Sequence, residues 1–153
     1  MIIALENIRS LYNVGSIFRT ASFFGIKNIL LVGYSGRKAA NVDEIHEKVK
    51  KTALGAEKDL EIKFLKNSHE LIKFCRENGL KLVAVEQHQN STEINHWQPD
   101  KNSVLVFGND LQGCSLQVLK AAEAIVEIPR RGWKGSLNVA TAAGIAIYSA
   151  KNR

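Results

Sequence analysis

Proline is nearly absent from this chain, at Pro99 and Pro129 only, and the 11 glycines are scattered. That excludes a collagen-like chain and a proline-rich linker. Cysteine is as scarce. Cys75 and Cys114 form neither a CxxC pair nor a zinc spacing, which excludes a disulfide framework and points to reduced thiols in a cytosol. No apolar run approaches the roughly 20 residues that cross a bilayer. The opening segment MIIALENIRS meets Glu6 and Arg9 too early for a secretory signal, so a cytoplasmic location is expected. His46, His69, His88 and His96 form no HxxxH pair, and no metal site is expected. There is no Walker loop and no GxGxxG, so the common nucleotide fingerprints are missing. Ser136 lies in no GxSxG elbow, which leaves a serine triad poorly supported.

Acidic residues are the minority charge: 15 Asp and Glu stand against 21 Lys and Arg, for a net charge of +6. A basic balance suits a polyanionic partner such as RNA, although many small enzymes share it. The 153 residues, 45% hydrophobic and 24% charged, fit one soluble domain over positions 1–153 that buries a core without staples.

Short apolar runs alternate with longer amphipathic stretches, which predicts an α/β fold with a largely parallel sheet flanked by helices. Strands are expected at Ile2–Leu5, Asn28–Val32, Glu61–Leu65, Leu82–Val85, Val104–Phe107 and Ala124–Ile128. Helical spacing of Val14, Ile17, Phe18, Ala21 and Phe24 predicts a helix over Asn13–Phe24, stopped by Gly25. Asn41–Lys58 reads as helical in pieces. Helices are also expected over Ser68–Asn78, after Ser115 as far as Ala122, and over Leu137–Lys151. In the last, Ala140, Ala143, Gly144 and Ile147 share one face, suited either to tight core packing or to a subunit contact.

Three segments can carry chemistry. In NVGSIFRT, Asn13 and Arg19 flank a glycine near a helix start, where free N–H groups and a guanidinium fork suit a phosphate; a capped helix with a solvent-facing Arg19 fits the same residues. In LVFGNDLQG, a buried strand enters a glycine-bounded acidic loop. Ligands of α/β sheets bind beyond the carboxyl ends of strands, and Gly108 permits close backbone approach; an ordinary Asn-Asp turn also fits. In IPRRGWKGSLNVA, a basic loop feeds a helix near Ser136. Ser136 can be its N-cap, and Asn138, just inside, can hold a substrate group. Arg130, Arg131 and Lys134 around Trp133 suit a nucleic-acid backbone with a stacked base, or simply a solvated loop.

Taken in order, NVGSIFRTA, LVFGNDLQG and IPRRGWKGSLNVATAAGIAIY resemble the three motifs of SpoU/TrmH-type RNA 2′-O-ribose methyltransferases of the SPOUT class. KKTALGAEKDL is similar to members of the same group, and the resemblance runs from Ile2 to Tyr148. It implies an α/β sheet closed by a C-terminal deep trefoil knot, which periodicity alone never indicates. It also implies a homodimer with the active site near the subunit interface, and S-adenosylmethionine as cofactor. The cofactor is expected at Val85, Glu86, Gly108, Ile128, Ser136 and Leu137. Asn13, Arg19, Ser136 and Asn138 match catalytic positions, and Asp110 stands where the family usually has Glu. Arg19, Arg130, Arg131 and Lys134 are expected to contact RNA, with tRNA favoured over rRNA. Two rival readings remain: a non-catalytic RNA-binding relative of the same fold, and a methyltransferase acting on a base or small molecule.

Overall fold

The computed structural model describes residues 1–152. Seven strands form one sheet: β1 (Ile2–Glu6), β2 (Asn28–Val32), β3 (Glu61–Leu65), β4 (Lys81–Val85), β5 (Thr92–Glu93), β6 (Ser103–Phe107) and β7 (Ala124–Glu127). Their spatial order is β3-β2-β1-β6-β4-β7-β5. Every pairing is parallel, in keeping with the largely parallel sheet expected. Five α-helices cover it: α1 (Leu11–Phe23), α2 (Glu47–Ala53), α3 (Ser68–Glu77), α4 (Leu116–Ala121) and α5 (Val139–Lys151), with a 3-10 turn at Ala56–Asp59. Among the described residues no helix is long and apolar enough to cross a membrane.

The strand period of two sorts the apolar residues onto opposite faces. Ile3, Leu5, Ile29, Leu31, Val83, Leu105, Phe107 and Val126 pack against α1, α2 and α5. Ala4, Leu30, Val32, Leu82, Ala84, Val104 and Val106 pack against Leu71 and Cys75 of α3 and Val118 of α4. The result is three layers, in which the central strands are apolar on both sides, as a buried parallel sheet requires. Ala143 and Ile147 are fully buried in the first cluster, so the small-residue face of α5 serves the protomer's own core. Gly144 is different: a Cβ there would meet nothing within 4 Å. Gly15 marks the opposite situation. A Cβ on it would run into Thr52 Oγ1, the Val49 carbonyl and the Ala53 amide, and α1 packs on α2 at that point.

One carboxylate is buried at the end of β1. Glu6 is 1% exposed, yet its oxygens accept from the Ser68 hydroxyl, from the Ser115 hydroxyl at 2.6 Å and from the Ser115 amide at 2.9 Å. A buried charge requires such partners, and here they tie β1 to the starts of α3 and α4.

Several boundaries differ from the sequence reading, each for a local reason. Helix α1 begins at Leu11, because Ser10 accepts the Asn13 amide as its N-cap, which places Asn13 in the first turn. Asn67, not Ser68, caps α3. Asn138, not Ser136, caps α5 and accepts from the Ala140 and Thr141 amides at 2.9 and 3.2 Å, so Ser136 and Leu137 lie in the loop before it. Strand β7 ends at Glu127 and Ile128 follows it. Strand β5, two residues long, had no counterpart in the sequence reading.

Candidate active site

Beyond the carboxyl ends of β6, β4 and β7 lies a cavity of about 450 Å³, within the roughly 300–1,000 Å³ usual for small-molecule sites. Three chain segments build its walls: Val85–Gln87, Phe107–Gly113, and Ile128 together with Gly135–Val139. Asn13 of α1 and Ala142 of α5 complete it. The site is therefore made by loops that leave adjacent parallel strands, where an open α/β sheet binds its ligands.

The 108–114 loop is the most constrained of the three. A Cβ on Gly108 would collide with the Cys114 amide and the Gly113 carbonyl, so only glycine lets the loop fold back this closely. The main chains of Asn109 and Gly113 bond each other at 3.0 and 2.9 Å. The Asn109 side-chain oxygen accepts from the Leu111 and Gln112 amides at 2.9 and 3.0 Å, a turn closed by its own side chain. From below, Glu86 accepts from the Cys114 amide at 2.9 Å and from the Gln87 amide at 3.0 Å. Both of its oxygens are thereby engaged with main chain, so its first task is to hold the loop. Asp110 Oδ2 accepts from the Ser10 amide at 3.2 Å, which fastens the loop to the start of α1.

Across the cavity, Asn138 Nδ2 donates to Asn13 Oδ1 at 3.1 Å. Its oxygen is taken by the α5 cap, so this side chain both starts the helix and positions Asn13. With Asn13 Oδ1 occupied, the Asn13 amide nitrogen remains as a donor towards the cavity.

Cys114 is buried beneath the loop and Cys75 lies on the buried face of α3. Burial holds the Cys75 thiol up at about 11. Burial first, then the charges of Glu86 and Glu6, pushes Cys114 further up. Neither is a thiolate nucleophile near neutrality.

The structure thus brings nine of the predicted residues to one cavity: Asn13, Val85, Glu86, Gly108, Asp110, Ile128, Ser136, Leu137 and Asn138. It does not bring Arg19 there. Arg19 sits exposed on α1, and Arg130, Arg131 and Lys134 are exposed in the loop before α5 and do not line the cavity. Lys134 Nζ stands 5.3 Å from the centre of the Trp133 ring, an exposed aromatic flanked by cations. Sequence reasoning assigned no role to Asn109, Gln87 or Phe107. For Asn109 the signal was present in the glycine-bounded Asn-Asp pair, because asparagine closes such turns.

The model of the SpoU rRNA Methylase family matches residues 1–148. The chain belongs to that family. Among its relatives, a tRNA (guanosine(18)-2′-O)-methyltransferase of Aquifex aeolicus is 28% identical over all of this chain and 69% of that protein. The solved A. aeolicus TrmH/SpoU tRNA modifying enzyme superimposes with a TM-score of 0.85 at 28% identity, covering 99% of this chain and 73% of that one. An AdoMet bound rRNA methyltransferase from Sinorhizobium meliloti gives a TM-score of 0.86 at 26% identity, covering 99% and 55%. The chain spans from about half to about seven-tenths of the length of the curated relatives it matches. For a SpoU family member, the cavity between the three loops is the natural place to look for a cofactor.

Proposed function

We propose that this chain transfers a methyl group from S-adenosylmethionine to a ribose 2′-hydroxyl of RNA, with tRNA the favoured substrate. The observation that carries the reading is the three-loop cavity, to which each of the three motifs contributes residues: Asn13, then Gly108 and Asp110, then Ile128, Ser136, Leu137 and Asn138. Its walls fit the cofactor. The Gly108 cradle has no room for a side chain, so main-chain polar groups can face an adenine edge, with Val85, Ile128 and Leu137 as apolar cover. Asp110 adds negative charge near a cationic ligand. When bound, the cofactor supplies a methyl group on a good leaving group. We read the C-terminal segment from Ile128 into α5 as the threaded part of a deep trefoil knot, a placement supported by its position against the 85–87 and 107–113 loops. Residues 1–153 are taken as one catalytic domain working in the cytoplasm.

The protein's own work is alignment and charge. Asn13, held by Asn138, is placed to donate to a ribose oxygen or to the cofactor's carboxylate. Ser136 and Leu137 shape the mouth. Arg19 is assigned to the RNA phosphate beside the target ribose, where a guanidinium stabilises charge developing on the 2′-oxygen. Arg130, Arg131 and Lys134 contribute the phosphate track.

Arg19 lies outside the cavity of its own protomer, and this favours a homodimer. Exposed Tyr12 and Phe23 of α1 run beside exposed Ile145 and Tyr148 of α5. The Phe24 and Tyr148 rings, 6.1 Å apart, join the two stripes, and Gly144 leaves room for a close helix. Pairing through this face would bring Arg19 of one copy towards the cavity of the other.

The test is transfer of labelled methyl from S-adenosylmethionine to unmodified tRNA, with nucleoside mass spectrometry of the product. A 2′-O-methylated nucleoside is expected. Methylation on a base, or cofactor binding without transfer, refutes the assignment. Arg19→Ala is expected to abolish turnover while leaving cofactor affinity intact.

A further inference from the structure

Tyr34 has no part in the site described so far, yet its hydroxyl touches it. Asn109, which lines the cavity, donates through Nδ2 to Tyr34 Oη at 2.9 Å and to the Asn7 carbonyl at 2.8 Å. The main chain around Tyr34 is fixed on both sides. Gly33 has φ +67°, its amide donates to the Leu65 carbonyl at 3.0 Å, and a Cβ there would strike the Asn7 side chain. Ser35 is fully buried and its hydroxyl accepts from the Ile8 amide at 2.8 Å. The loop that follows is pinned as well: Arg37 donates to the Gly33 and Leu65 carbonyls at 2.7 and 3.2 Å, pairs with Asp43 and stacks 4.8 Å from the Phe64 ring.

On this shelf Tyr34 is 51% exposed. Burial does not account for an aromatic held so firmly and left half in water. A flat ring fixed in orientation at the rim of a cavity for ribose chemistry has the properties of a stacking platform, because ordering it in advance removes the entropic cost of binding. We infer that Tyr34 stacks against a nucleobase of the RNA, at or beside the target nucleotide, with its tie to Asn109 setting the distance between that base and the methyl-transfer cavity. This deepens the proposed RNA ribose methylation and rests on it for the identity of the ligand. Recognition by one π-face is tolerant of base identity, so Tyr34 contributes affinity and placement rather than sequence choice.

The test compares Tyr34→Ala, Tyr34→Leu and Tyr34→Phe in the full chain. Binding to a pool of unmodified tRNA transcripts is measured by fluorescence anisotropy, cofactor affinity by calorimetry and methyl transfer separately. Loss of the ring in the Ala and Leu variants is expected to weaken tRNA binding roughly five- to hundredfold, with cofactor affinity unchanged. The Phe variant is expected to keep most of the affinity. The inference is overturned if Phe behaves as Ala does, since the role is then only the hydroxyl tie to Asn109. It is also overturned if Ala binds tRNA as the wild type does, if cofactor affinity falls in step with tRNA affinity, or if the wild type does not bind tRNA. A wild type that binds tRNA but transfers no methyl refutes the proposed reaction, while the binding arm still decides the role of Tyr34.

Discussion

Replacing Gly15 by alanine sets two effects against each other. In a helix interior free of neighbours, alanine gains about 1 kcal/mol over glycine. At Gly15 the added methyl would enter space held by Thr52 Oγ1, the Val49 carbonyl and the Ala53 amide. The threonine can turn away, but two of the three atoms are main chain, and α2 must shift as a whole. Overpacking of that kind costs about 3 kcal/mol at the upper end of its usual range, so the net loss is about 2 kcal/mol. For a chain of this size that lowers the melting temperature by roughly 4–8 °C. Thermal melts followed by circular dichroism, with urea unfolding to show an unchanged m-value, measure it. Adding Thr52→Ala to the same chain restores only part of the loss: one clash goes, the carbonyl clash stays, and the 3.0 Å bond from Thr52 to the Tyr12 carbonyl goes with it. A Gly15→Ala protein as stable as the wild type, or more so, refutes the argument that α1 and α2 touch main chain to main chain here.

Asn138→Asp keeps an acceptor for the α5 amides but loses the donor to Asn13, so turnover falls while the melting temperature holds; Asn138→Ala loses both, with about 1 kcal/mol of cap stability besides, which parallel kinetics and melts distinguish. Glu86→Ala strands the Cys114 and Gln87 amides and loosens the cavity loop, weakening cofactor binding by roughly five- to a hundredfold, as calorimetry reads; a cofactor affinity unchanged in this variant contradicts the clamp. Cys75 ionises at a higher pH folded, at about 11, than as an ordinary thiol. Its burial therefore favours the folded state below the ordinary thiol range, and that contribution is lost as pH rises from about 9 towards 11; urea unfolding midpoints across that interval should fall, less so in Cys75→Ala.

Much of the fold was legible in the chain. Strands β2 and β3 match their apolar runs residue for residue. Two of the three cavity loops, after Phe107 and after Ile128, were visible as a strand followed by glycine and polar residues, whereas the 85–87 loop carries no glycine and was expected there only from the family resemblance. What could not be read was long-range or locally degenerate. Strand β5, Thr92–Glu93, is too short and polar to show a period. Ser136 and Asn138 are both good caps, and only the path of the loop along the cavity decides for Asn138. The partners of Glu6, at positions 68 and 115, and the tie between Tyr34 and Asn109 depend on which strands become neighbours, which no local pattern records. Arg19 was read from its place near a helix start and from motif order, neither of which fixes its direction. Its distance from the cavity follows from the turn count of α1, which separates it from Asn13 by angle as well as rise.

Strand β1 is flanked by β2 on one side and by β6 on the other, and Glu6 closes onto Ser115. During synthesis the first of these neighbours leaves the ribosome within a few seconds, at roughly 5–20 residues per second, but the second emerges only with the latter part of the chain. Until then the β1 edge has nothing to pair with, and Glu6 has no helix start to meet. The middle of the finished sheet thus stays open until β6 arrives, and the nascent chain passes through a stage in which an apolar strand is open to other chains.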